Sequence, residues 1–324
     1  MIRHSFTLPL FHSFAMTLSV VIPVYNSQET LEPLLLTLQD CLRLIDFEVV
    51  LVNDGSRDRS EEVVYRLADR YANVQGLSLR RNFGEFNAVL CGLTHTSGDY
   101  VVIIDDDSQN PPEAILTLLE TAQSGKFDVV YSRYAEKKHA WFRNVGSSLL
   151  NYLTTYLLDK PKSLYLSSFK LINRPVVNEI VGYQGPFPYI DALIFRVTRN
   201  VTSVEVPHHA RHSGGSNYTL SKLVSLFLNV LFGYSTLPLR LFAGLGLGLF
   251  SGSILMGLVL LTGSLLSWFA VAGWAIVVWV VLVLAGLQML FLAVLSEYIG
   301  KMFLTQSGQK AYVLKKEARK QSSQ

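Results

Sequence analysis

From Leu241 to Ser296 the chain contains no Asp, Glu, Lys, Arg or His. A soluble domain is about one quarter charged, so that composition is excluded for this stretch. The gap is long enough for two membrane crossings of about 20 residues each. The first is expected from about Leu241 to Leu261 and the second from about Trp274 to Leu295, joined by the uncharged turn "SLLSWFAVAG". Cysteine is nearly absent: Cys41 and Cys91 alone exclude a disulfide framework and a thiolate metal site, and read as reduced core thiols. Excess charge is lacking too. The formal net charge is +3, and the tail after Ser296 holds six basic residues against Glu297 and Glu317, so everything before it nets to about −1 and no nucleic-acid surface is expected.

That basic tail and the uncharged turn set an orientation. By the positive-inside rule both termini and the main domain face the cytoplasm, with the turn outside and the tail against anionic headgroups. The opening "MIRHSFTLPLFHSFA" is a poor signal peptide because His12 interrupts its apolar run, and it is read as an extension.

From Thr17 to about Ile172 strand and helix patterns alternate. "LSVVIPVYN", "FEVVLVNDGS", a short run at 75–79, "DYVVII" and "FDVVYSR" read as strands. Between them lie "QETLEPLLLTLQDCLRLI", "RSEEVVYRLADRYA", Glu85 to Thr94 and Glu113 to Gln123 as helices. This order predicts a doubly wound, mostly parallel sheet. "SFKLINRPVVNEIV" and "VTSVEVPHHARH" add strand and helix elements, and "SNYTLSKLVSLFLNVLFGY" suits a helix in the membrane interface.

The strand "YVVII" runs straight into Asp105, Asp106 and Asp107. A strand apolar at every position is covered on both faces, and the C-terminal edge of such a sheet is where ligands bind. Three adjacent carboxylates repel one another, which a divalent cation would relieve. A solvated acidic turn capping the next helix is the plainer alternative. Two further strand ends, "PVYN" and "NDGS", deliver polar groups to the same edge, with Asp54 able to accept hydrogen bonds from a base or ribose. His208, His209 and His212 lack a carboxylate or cysteine at zinc spacing, so no zinc site is expected there.

"VVIPVYN", "VNDGS", "RNFGEFNAVLCG" and "IIDDDSQNPPE", in this order and spacing, resemble the family 2 glycosyltransferases of GT-A fold. Within them the chain is similar to the polyprenyl-phosphate glycosyltransferases, through "HHARHSGGSNYTLSKL", "PLRL" and "SEYIGK" as well. The resemblance implies an α/β GT-A cytoplasmic domain, Rossmann-like, followed by interfacial helices and two transmembrane helices. The expected organisation is an extension at 1–15, the GT-A domain at 16–215, juxtamembrane helices at 216–240, the membrane pair at 241–296 and the tail at 297–324.

The resemblance also assigns residues. Its Asp-x-Asp-x-Gln motif falls on Asp105, Asp107 and Gln109, as ligands of Mg2+ or Mn2+, with Asp107 catalytic and Asp106 an extra acid beside the substrate. Pro23, Tyr25, Asn26 and Asp54 would border the nucleotide. Arg133 and Arg143 would hold the acceptor phosphate, a task suited to the planar, permanently charged guanidinium. Arg211, Ser216 and Tyr218 would close over the donor diphosphate. Where relatives carry an aspartate proposed as the base, this chain has Ser168, and Lys170 replaces an arginine. A serine is no base on its own, but a phosphate monoester is already ionised and needs positioning more than deprotonation.

The implied reaction is inverting transfer of a sugar from a nucleotide donor, with a UDP-sugar expected, to a polyprenyl phosphate such as undecaprenyl phosphate. The implied setting is the inner membrane, with a homo-oligomer, a tetramer by resemblance, as the assembly. A processive polysaccharide synthase is the enzyme rival, opposed by only two spans and no Gln-x-x-Arg-Trp stretch. A catalytically silent scaffold or sensor is the other, opposed by the intact Asp105, Asp107, Gln109, Arg133 and Arg143.

Overall fold

The computed structural model describes residues 16–107, 109–134, 160–161, 164–206, 273–306 and 310–319, with single positions at 155, 244, 248, 252, 255, 258, 262, 266 and 308. Arg143, Arg211, Ser216, Tyr218, the three histidines, the extension 1–15 and the interfacial helix expected at 216–240 lie outside the described residues. The first expected crossing is described only at Gly244, Gly248, Gly252, Leu255 and Leu258, all helical.

Alternation of strand and helix holds along the first half: β1 (Thr17–Val24), α1 (Leu31–Cys41), β2 (Asp46–Asn53), α2 (Ser60–Arg70), β3 (Val74–Leu79), α3 (Glu85–Thr94), β4 (Tyr100–Ile103), α4 (Ala114–Gly125) and β5 (Val129–Tyr134). Then follow β6 (Lys170–Asn173), α5 (Arg174–Val181), α6 (Ile190–Val197), β7 (Val201–Val206), the long α7 (Gly273–Gln306) and β8 (Leu314–Arg319). They form one eight-stranded sheet in the order β7-β5-β6-β4-β1-β2-β3-β8.

Both faces of this sheet are covered, as the apolar strands require. Leu18, Val20, Ile22, Val102 and Ile104 pack on one side with Leu31, Leu34, Leu35 and Leu38 of α1, which recur at helical spacing. Val21, Val101 and Ile103 pack on the other with Ala88, Leu90 and Cys91 of α3. Pro23 costs no ladder bond, because β4 pairs with β1 only up to Val21 and leaves the next positions of that edge unclaimed.

The sheet is more mixed than the sequence pattern predicts. β1–β2, β1–β4, β2–β3 and β5–β7 are parallel. β6 runs antiparallel between β4 and β5, and β8 runs antiparallel along β3. β6 enters the sheet reversed and passes directly into α5, whose first turn is capped by Asn173 accepting the Val176 N–H at 3.1 Å.

The tail also differs from its expected place against headgroups. Part of it, β8, completes the sheet: Glu317 accepts from Gln75 at 2.7 Å, Lys315 pairs with Glu61 at 2.9 Å and Lys316 lies over the Tyr65 ring. These charges blunt an edge strand that would otherwise expose the β3 ladder. Among the described residues no helix is long and apolar enough to cross a membrane. The backbone of α7 nonetheless runs as one helix for 34 residues, and the sequence of that helix is uncharged up to Glu297.

Candidate active site

The loops leaving β1, β2, β3 and β4 meet at the C-terminal edge of the sheet and are tied together by side chains. Asn26 adopts φ 56°, a left-handed conformation that asparagine tolerates better than most residues. There its N–H donates to Ser56 Oγ at 3.0 Å and its Oδ1 accepts the Arg57 N–H at 2.8 Å, joining the first loop to the second. The second loop turns at Gly55, φ 60°, where a Cβ would stand 2.5 Å from the Arg81 carbonyl carbon. Only glycine serves both demands.

Asp54 is buried and commits both carboxylate oxygens to the protein: the Phe83 N–H donates at 2.7 Å and the Gly84 N–H at 2.8 Å. Burial raises its pKa, opposed by those two bonds. It therefore fastens the loop after β3 onto the loop after β2. Tyr25 is exposed at the rim, while Pro23 is buried beneath it.

The acidic loop divides its labour. Asp106 turns to the first loop, accepting the Tyr25 N–H at 3.0 Å and the Ser27 hydroxyl. Burial, with the neighbouring Asp105 and Asp107, outweighs those bonds and pushes its carboxyl up to about 6. Asp105 turns the other way. Its Oδ2 accepts from Ser168 Oγ at 2.6 Å and from Asn110 Nδ2 at 3.2 Å. Burial and then the Asp107 charge raise it, against the Ser168 bond and the Lys170 cation. Asp107 Oδ1 accepts the Gln109 N–H at 3.1 Å.

Strand register explains why Ser168 meets Asp105. Ile103 faces Lys170 across β4–β6, and Tyr131 faces Lys170 across β5–β6. Two residues further along each strand, the same register sets Asp105, Ser168 and Arg133 level in one row, with Glu205 of β7 opposite Arg133. The Arg133 guanidinium donates to Glu205 at 3.2 Å, both side chains about half exposed. Beneath this row, Lys170 is buried and paired with Asp191, which also accepts from Tyr131 at 3.0 Å.

This arrangement of strand-end loops matches known proteins. Residues 19–181 fit the description of glycosyl transferase family 2. The chain belongs to that family. Among similar proteins, an undecaprenyl-phosphate 4-deoxy-4-formamido-L-arabinose transferase of Photorhabdus laumondii is 32% identical over 307 residues, 92% of this chain and 93% of the relative. A protein of the same name from Pseudomonas aeruginosa is 35% identical over 290 residues, 88% of this chain and 85% of the relative. Among solved structures, glucosyl-3-phosphoglycerate synthase from Mycobacterium tuberculosis, in complex with Mn2+, UDP-glucose and phosphoglyceric acid, superposes with a TM-score of 0.52. It is 22% identical and covers 67% of this chain and 78% of that one, a likeness of fold.

The chain is thus a glycosyltransferase with a GT-A type α/β fold. Among its described residues no three His, Cys, Asp or Glu side chains converge as a ready-made metal cage. Mg2+ is usually held by one or two carboxylates together with substrate phosphates, so Asp105 and Asp107, hard oxygen donors two residues apart at a strand end, fit such an ion without a full cage.

The residue that sequence reasoning misses in this glycosyltransferase is Glu85, the first residue of α3. Its side chain is exposed at that edge. Desolvation by the surrounding protein atoms, followed by the charge of Asp105, raises its carboxyl above the usual carboxylate range, against the opposing pull of Lys170. An acid in a first helical turn reads as ordinary dipole complementarity, which hides it. Its position straight after a glycine at φ 99° on the binding edge is the signal that marks it out.

Proposed function

We propose that this glycosyltransferase transfers a sugar, with inversion, from a nucleotide-sugar donor to the phosphate of undecaprenyl phosphate. The observation that carries this reading is the near full-length similarity to undecaprenyl-phosphate 4-deoxy-4-formamido-L-arabinose transferases, which extends past the sugar-transfer domain into the charge-free region. A UDP-sugar is the expected donor, and UDP-4-deoxy-4-formamido-L-arabinose is the first to test.

On this reading the nucleotide lies over the loops held by Asn26 and Asp54, bordered by Pro23 and Tyr25. Asp105, Asp107 and Gln109 would hold Mg2+ or Mn2+, which when bound neutralises diphosphate charge. Arg133, with Arg143, receives the acceptor phosphate. One of its oxygens forms the new bond to the anomeric carbon as the bond to the nucleotide diphosphate breaks. The attacking oxygen is already ionised, so Ser168 need not supply a base. Arg211, Ser216 and Tyr218 close over the donor.

The acceptor's location accounts for the charge-free stretch 241–296: a lipid buried in the bilayer offers only its phosphate at the surface. We place the protein in the inner membrane with two crossings, the catalytic domain and both termini cytoplasmic, as a homo-oligomer. Membranes containing the protein, given labelled UDP-4-deoxy-4-formamido-L-arabinose, undecaprenyl phosphate and Mg2+ or Mn2+, should yield label in the organic extract. Label in polymer points to a processive synthase. No label from this donor or a panel of UDP-sugars overturns the proposal.

A further inference from the structure

The stretch "SSFK", Ser167 to Lys170, replaces the carboxylate and arginine that the family resemblance leads one to expect, and the structure shows what this chain does with the replacements. The Ser168 hydroxyl does not stand alone. It donates to Asp105 Oδ2 at 2.6 Å, a charge-assisted bond at the short end of its range. Asn110 Nδ2 donates to the same oxygen at 3.2 Å.

The segment bearing Ser168 is itself fixed. Ser132 N–H donates to the Phe169 carbonyl at 3.0 Å, and Ser132 Oγ donates to Ser167 Oγ at 2.8 Å, so β5 grips the residues on both sides of Ser168. One layer below, Lys170 is 3% exposed and Asp191 5%, paired with each other while Tyr131 donates to Asp191 and its ring lies 5.0 Å from the Lys170 ammonium. A buried ion pair holds its place, since each partner is costly to leave alone. It anchors β6 between β4 and β5, and with it the height of Ser168 beside Asp105.

We infer that Ser168 is a positioning residue, its hydroxyl fixing the Asp105 carboxylate for a divalent cation while Lys170, Asp191 and Tyr131 hold the strand that presents it. The inference rests on the proposed role of Asp105 as a metal ligand. Outer partners of metal-ligating carboxylates fix ligand orientation, and their loss typically costs roughly ten- to a hundredfold in metal affinity or activity. Ser168 therefore takes no proton from substrate; it acts through Asp105.

The test compares the isosteric pair Ser168→Thr and Ser168→Val, which differ in the hydroxyl. Mn2+ is titrated into the full-length protein with UDP present, and free Mn2+ is followed by its electron paramagnetic resonance signal. The expected result is wild-type affinity for Ser168→Thr and affinity lower by roughly ten- to a hundredfold for Ser168→Val, with thermal unfolding of the two variants alike. Ser168→Ala, which introduces no bulk, should behave as Ser168→Val does and covers the case that valine disturbs folding. Wild-type Mn2+ affinity in both hydroxyl-free variants overturns the inference while leaving the proposed reaction standing. Failure of the wild-type protein to bind Mn2+ removes the metal reading itself, and the inference with it.

Discussion

The carboxylate of Asp106 accepts the backbone N–H of Tyr25 at 3.0 Å, across 81 residues of sequence. The extra acid of the Asp105–Asp107 run is thereby occupied in joining two loops, the one after β1 and the one after β4, while Asp105 faces Ser168.

Removing that fastening should loosen the nucleotide side. Asp106→Ala removes the acceptor of the Tyr25 N–H and one of the two acceptors of the Ser27 hydroxyl, which keeps the Tyr25 carbonyl at 3.2 Å, at a cost of about 0.5 to 1.5 kcal/mol. A lower melting temperature and a higher KM for the nucleotide sugar are expected, with Asp106→Asn recovering much of both because its amide oxygen still accepts. Equal stability of Asp106→Ala and wild type would show that the bond contributes nothing net.

Glu48 carries a pH dependence far from the site. Burial alone would raise its carboxyl, but bonds from Ser19 Oγ and from the N–H and Oγ of Ser97 outweigh it and leave the pKa below the usual 4.5. A folded pKa lower than the unfolded one stabilises above the unfolded value, and that stability is lost as pH falls through the folded pKa. Glu48→Gln should therefore be less stable than wild type at neutral pH, and the difference should shrink as urea unfolding is repeated at pH values falling below 4.5. A difference that stays constant with pH would assign the loss to packing instead.

Much of this architecture is legible because local chemistry and fold agree. The five apolar residues of "YVVII" belong to a strand buried on both faces, and Val101 and Val102 do lie in opposite cores. Convergence of "PVYN", "NDGS" and the acidic run at one edge follows from parallel strands alone. What escapes is set by distant partners. "LKKEAR" reads as part of a basic tail against anionic headgroups because β8 is a charged edge strand, and its partner Gln75 lies 242 residues from Glu317. The Ser168–Asp105 contact depends on β6 entering antiparallel, a register that no short window contains.

Arg133 pairs with Glu205, so its guanidinium is engaged before any phosphate arrives. Exposed pairs of this kind contribute about 0 to 1 kcal/mol, so Glu205→Gln should leave stability nearly unchanged and transfer to undecaprenyl phosphate intact. Arg133→Ala should reduce that transfer by ~2 to 5 kcal/mol in activation free energy while donor binding by calorimetry survives. Glu205→Gln falling as far as Arg133→Ala would mean that the pair, rather than the arginine, is what the reaction needs.

The place of β8 constrains how the chain can cross a membrane. A strand cannot hydrogen-bond to a sheet on the far side of a bilayer, where every backbone group must be satisfied locally. Residues 314–319 pair with β3, and the Arg80 N–H donates to the Val313 carbonyl at 2.9 Å, so the segment after α7 lies on the same side as the sheet. On the proposed membrane reading, the chain between β7 and β8 would cross an even number of times, and two crossings fit the length of the charge-free stretch. Native thiols should give little background: burial pushes Cys91 up to about 12 and Cys41 up to about 11, leaving scant thiolate at neutral pH. Single cysteines introduced by Ser267→Cys and Ser322→Cys should then separate cleanly in intact cells. An impermeant maleimide should label the first and reach the second only after permeabilisation. Labelling of both from outside, or of neither before permeabilisation, would refute the two-crossing topology.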